Sequence, residues 1–177
     1  DQLFGSAVHV DDLAGGVGGG DAFAERVERG PGRGVAALGT SQIVALTSAQ
    51  AASLSADQVG AITTADLAVM ETADIKALST AALAGLSAGQ VGALTAPQAA
   101  ALTTAQVHAL TSDQMLGMSP AGVAALTTAQ VSVLSAAQVD GLTTAQLAAI
   151  STAGIKTMST EALSVLTSAE VSKLTSD

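Results

Sequence analysis

From Leu38 onward the chain restarts a helix every eight residues. The phrase is clearest at Leu126–Leu134, L-T-T-A-Q-V-S-V-L. Thr127 has the chemistry of an N-cap, because its hydroxyl can accept from the unbonded N–H groups of the next turn. Gln130, three residues on, can return a bond to the cap's own N–H and complete a capping box. Leu126 and Val131 stand on either side of the cap where a hydrophobic staple forms. A chain given these instructions at this interval must stop and turn each time. One continuous helix is excluded, since at about 100° per residue an octad overshoots two turns by roughly 80° and its apolar stripe would wind around the axis. A β-solenoid would require strict alternation and more β-branched or aromatic residues. Ala and Gln fill the octad middles instead, and both are better helix formers.

Seventeen complete octads run from Leu38 to Lys173. Position 1 is always Leu, Ile or Met. Position 2, the cap, is Ser or Thr except at Gly39 and Glu71. Position 5 is Gln, Asp or Glu except at Ala82, Gly122, Gly154 and Ala162, and position 6 is apolar throughout. Pro97 and Pro120 fall in first turns, where a missing N–H breaks no intrahelical bond. Position 6 also alternates along the chain. Ile43, Val59, Ile75, Val91, Val107, Val123, Val139, Ile155 and Val171 are β-branched, whereas of Ala51, Leu67, Leu83, Ala99, Met115, Val131, Leu147 and Leu163 between them only Val131 is. This pattern predicts an all-α, tight solenoid of helices about six residues long. Its 8-residue half-repeats would pair into 16-residue coils, eight and a half of them, making a rod of about 75 Å. Helices this short are unstable alone, so stacking must supply the stability.

Residues 35–177 form this predicted solenoid. Residues 1–34 are different: they hold nine of the eighteen glycines, with Gly15–Gly20 read as a loop and Asp21–Arg29 as a short helix. Such a segment suits a cap over the first repeat. The run GGVGGGDAF is a poor match to calcium-binding nonapeptide repeats and reads as a flexible loop. His9, Asp11 and Asp12 read as a polar terminus rather than a metal site. The chain opens on Asp1 without a signal sequence, which suggests a processed product or a fragment.

A net charge of −9 repels phosphate backbones, so nucleic acid is disfavoured as a partner. There is no cysteine for a disulfide or thiolate site. No apolar run reaches 18 residues, so no transmembrane segment is expected. No catalytic, cofactor or metal constellation stands out, and an enzyme is not expected. The many Ser and Thr have no recurring base beside them and are explained by capping. Capping also competes with the use of Thr ladders to order water or ice. Position 7 is the most variable. Lys76, His108, Asp140 and Lys156 occupy it, and 16-residue coils would set all four on one edge. That edge reads as solvated surface or, alternatively, as a thin polar binding stripe. Its members are too far apart to share a metal.

The motif A-L-T-T-A-Q-V at Ala101–Val107 and Ala125–Val131, with near copies throughout, resembles the octapeptide arrays of very large repetitive bacterial exoproteins and adhesins. The resemblance implies a non-enzymatic structural spacer or adhesin segment, extracellular or on the bacterial surface. A protein-binding scaffold of a secreted effector is the alternative, with cytoplasmic location also open. Expected partners are another protein, or a further copy through the solenoid ends.

Overall fold

The computed structural model describes residues 38–174. The segment 1–34, with its glycine loop, Asp21–Arg29 helix and His9-Asp11-Asp12 group, lies outside them. Among the described residues every element is a short helix, seventeen in all. The first coil holds α1 (Thr40–Val44), α2 (Ser48–Ala52) and α3 (Ala56–Gly60). The second holds α4 (Thr64–Val69), α5 (Thr72–Ala77) and α6 (Thr80–Leu83). The third holds α7 (Ala88–Gly92), α8 (Ala96–Ala101) and α9 (Thr104–Ala109). The fourth holds α10 (Ser112–Gly117), α11 (Pro120–Ala124) and α12 (Thr128–Val131). The fifth holds α13 (Ala136–Asp140), α14 (Thr144–Ala149) and α15 (Thr152–Ile155). A sixth, partial coil holds α16 (Thr160–Ser164) and α17 (Ser168–Leu174).

The helix starts follow the octad grammar. Thr127 accepts at Oγ1 from the Gln130 N–H (3.3 Å), and its own N–H donates to Gln130 Oε1 (2.7 Å). The same reciprocal pair recurs at Thr95, Thr103, Thr111 and Thr143 and at Ser55, Ser87 and Ser135. Cap backbones are extended, with Thr127 at φ −70° and ψ 160°, so each helix is preceded by a bend. At Glu170 a carboxylate fills the Gln role, accepting from the Thr167 N–H (2.7 Å) and hydroxyl (2.8 Å). Those bonds, the backbone one first, hold the Glu170 carboxyl below its ordinary range. A depressed carboxyl contributes stability above its unfolded titration range, so this small contribution is lost as pH falls through the folded value.

The array is a helical solenoid, but its coil has three helices and 24 residues, not two and sixteen. Each helix packs on the one three places further along the chain: α1 on α4, α2 on α5, α3 on α6, α7 on α10, α12 on α15. The alternation at position 6 is real, yet on a three-sided coil it cannot mark two sides. It runs up each column instead: Ile43, Leu67, Val91, Met115, Val139, Leu163 along one face. The bulky layer Leu67, Ile75 and Leu83 thereby sits between the lighter layers Ile43, Ala51, Val59 and Val91, Ala99, Val107, a size alternation that lets layers interdigitate. Seventeen octads make between five and six coils, so the rod is roughly 50 Å long, shorter and thicker than a two-helix coil would give.

Burial shows why eight residues suffice. In the interior coils positions 1, 5 and 6 face inward, and the other five face outward or are half-buried. Leu126, Gln130 and Val131 are 6%, 2% and 1% exposed. The buried glutamine is the joint between coils. Its Oε1 completes the capping box, while its Nε2 reaches the coil before. Gln130 Nε2 donates to the Ala99 carbonyl (3.0 Å) and the Leu102 carbonyl (2.6 Å). Gln98, Gln106, Gln114, Gln138 and Gln146 repeat both bonds, always to carbonyls 31 and 28 residues earlier. Gln90 reaches Gly60 and Ile62 in the same manner.

This clamp separates two substitutions that capping alone would not. Gln130→Leu removes both halves and leaves a cap N–H and two buried carbonyls without their partner, a loss of about 2–4 kcal/mol. Gln130→Glu keeps the oxygen a capping box needs but puts a carboxylate against those carbonyls. Thermal denaturation is expected to show Gln130→Glu falling at least as far as Gln130→Leu. A near-neutral Gln130→Glu would mean that the residue only caps.

Candidate functional site

The four position-7 residues do not form an edge. Asp140 ends α13 on the first face and Lys76 lies in the last turn of α5 on the second. His108, in the last turn of α9, and Lys156, which follows α15, share the third face but stand two coils apart. The expected stripe depended on 16-residue coils, and a 24-residue coil distributes it over three sides. All four side chains are exposed. Lys76 and His108 sit at helix C-termini, where a positive charge suits the unbonded carbonyls.

Elsewhere the surface is built mainly from Ala, Ser, Thr and Gly. Among the described residues no group of three or more His, Asp or Glu side chains is placed to hold a metal ion. No described helix is long and apolar enough to cross a membrane. The first face carries most of the exposed large apolar side chains: Val44 (45%), Val69 (44%), Leu116 (48%) and Leu163 (37%). Two pairs of glycines let coils approach where any side chain would intrude. A β-carbon on Gly60 would stand 2.6 Å from the Gly85 carbonyl oxygen, and one on Gly92 would stand 2.6 Å from that of Gly117.

Among the described residues the most extensive side-chain hydrogen bonding is therefore directed at the chain itself. Sequence reasoning assigned Gln130 and its equivalents to capping and missed their second role. The signal was present: a Gln amide carries two donors beside its oxygen, and a capping box uses only the oxygen.

Short capped helices, a three-helix coil and a buried amide ladder define an all-α octapeptide solenoid. The chain matches the ALTTAQ repeat family over residues 35–64, 67–104 and 142–176, more than half its length, and belongs to that family. Residues 105–141 lie outside the matched stretches yet keep the same clamp at Gln114, Gln130 and Gln138. No curated protein and no solved structure matches the chain.

Proposed function

We propose that this chain is a non-enzymatic spacer or adhesin segment of a secreted or surface-attached bacterial protein. The observation that carries the reading is the clamp. Each interior coil uses its buried apolar positions, and most use their position-5 amide, on the adjoining coils, so length grows by one unit at a time with the same chemistry. An object of that kind is suited to holding other parts apart.

The alternative, a protein-binding scaffold, is favoured by the exposed apolar side chains of Val44, Val69 and Leu116 on the first face. The surface or secreted location is tested in intact cells of the producing organism. Antibody against the array should label unpermeabilised cells or the medium, and deletion of residues 102–125, one whole coil, should shorten the particle by about 8–10 Å in X-ray scattering. Labelling only after lysis would sink the surface reading. Loss of a bound protein on Val44→Ser, Val69→Ser and Leu116→Ser, with the fold intact, would favour the scaffold.

A further inference from the structure

The amide clamps do not hold every part of the array. Gln90 bonds the Gly60 and Ile62 carbonyls, Gln98 those of Leu67 and Met70, and Gln106 those of Ile75 and Leu78. Among the described residues the first clamped carbonyl is therefore Gly60, at the end of α3. The three position-5 residues before Gln90 are Asp66, Asp74 and Ala82, and none carries an amide. By the clamp's spacing, Asp74 and Ala82 answer to the turns from α1 to α2 and from α2 to α3, so those turns receive no amide bond. Two hydroxyl bonds stand in. Thr40 Oγ1, in α1, donates to Asp66 Oδ1 (2.8 Å), and Ser48 Oγ, in α2, donates to Asp74 Oδ1 (2.8 Å). Both hydroxyl residues are exposed, and water can take their place as a helix lifts.

Asp74 also favours opening directly. At Asp66 the second oxygen is satisfied, because the cap Thr63 hydroxyl donates to Oδ2 (2.6 Å). At Asp74 the cap is Glu71, which makes no capping bond, and Oδ2 is buried without a hydrogen-bond partner. The closed state loses the hydration of that oxygen, and lifting α2 returns it. Apolar packing gives no opposing reason for α1 and α2 to be loose. Helices α4 and α5 are covered on one side by α1 and α2 and on the other by α7 and α8. Position 6 supplies Ile43 and Ala51 on the first side and Val91 and Ala99 on the second, all fully buried. The α1–α2 side is the heavier by one methylene, so its deficit lies at position 5.

We infer that α1 and α2 are a built-in release unit. They come away from α4 and α5 together, in one opening that stops at α3, while the array from the Gly60 clamp onward stays stacked. The partial sixth coil lacks amides too, at Ala162 and Glu170, but Leu163 and Val171 are 37% and 44% exposed there, so its opening has a separate cause in a thin core.

Residue-resolved amide exchange of the full chain tests this. The N–H groups of Ile43, Ala51, Leu67 and Ile75 each donate to a cap carbonyl at 2.9–3.1 Å, in residues no more than 1% exposed, so their rates report opening and not local structure. Ile43 and Ala51 should exchange together, about tenfold or more faster than Leu67 and Ile75 and than Val59 in α3. Asp74→Gln supplies the missing amide and should slow Ile43 and Ala51 by about tenfold while leaving Val107 unchanged. Gln98→Asp copies the native arrangement one coil on, with Thr72 in the place of Ser48, and should speed Leu67 and Ile75. Equal rates at Ile43, Ala51, Leu67 and Ile75 in the native chain would overturn the inference, as would a folded Gln98→Asp chain in which Leu67 and Ile75 stay slow. So would an Asp74→Gln chain whose Ile43 and Ala51 exchange as fast as before, the result expected if they open only through lying near the start of the array.

Discussion

Val107→Asp is expected to lower the thermal midpoint by roughly 10 °C, a loss of at least about 4 kcal/mol. Val107 is 0% exposed, in α9 of the third coil, with Ala99 and Val91 in the same core layer. A carboxylate there has no donor to receive it, and an unpaired buried charge is among the most destabilising changes a core can suffer. The damage should also spread along the axis. Gln138 Nε2 clamps onto the Val107 carbonyl at 2.9 Å, so displacing this backbone loosens the fifth coil's helix α13 as well. An array whose contacts reach no further than about one and a third turns along the chain would then melt as two shorter pieces, and the transition should broaden or divide. Val44→Asp is the matched control: that side chain is 45% exposed, and the change should stay within about 0.5 kcal/mol. Circular dichroism melts of the three chains decide the matter. An unchanged midpoint for Val107→Asp would remove position 6 from the core.

Gly117→Ala is expected to destabilise by about 1–3 kcal/mol, although alanine is the better helix former. A β-carbon at Gly117 would overlap the Ala88 carbonyl oxygen and lie 2.7 Å from its carbonyl carbon. Both obstacles are backbone, so no rotamer change relieves them and α7 and α10 must separate. Gly89→Ala, in the same α7, provides the contrast, because a β-carbon there has no atom within 4 Å. That substitution should be neutral or stabilise by up to about 1 kcal/mol. Opposite signs from two identical exchanges in packed neighbours would be difficult to produce in any fold that did not bring Gly117 against Ala88. Equal effects in urea denaturation would contradict this packing.

The local part of this architecture was legible in the sequence because it depends on contacts within one octad. Thr127, Gln130 and Val131 cap, return the cap and enter the core through local turn geometry. The coil was not legible for the same reason. Nothing inside an octad states how sharply the chain turns between helices, and that angle decides whether two or three helices close a coil. The alternation at position 6 invited the answer two, whereas it encodes large and small layers along the axis. The better clue was the amide itself. Glu completes a capping box as well as Gln, yet Gln stands at position 5 in ten octads and Glu only at Glu170. That bias marks a need for the two amide hydrogens, and so for carbonyls on another coil. The close approach of Gly85 and Gly117 to earlier coils was likewise hidden, since both occupy the variable last position of the octad.

The three-helix coil held by amide clamps is tested most directly by cross-linking, which the absence of native cysteine makes clean. A β-carbon on Gly141 would lie 3.4 Å from the Ser112 Cβ, at the short end of the range a disulfide spans. Those residues are neighbours only if α10 and the turn after α13 lie one 24-residue coil apart. Mild oxidation of Ser112→Cys/Gly141→Cys should close an intramolecular bridge in the folded monomer, while Ser112→Cys/Val133→Cys, the pair that a 16-residue coil would bring together in the same way, should stay reduced. Bridging of the second pair and not the first would contradict the three-helix coil.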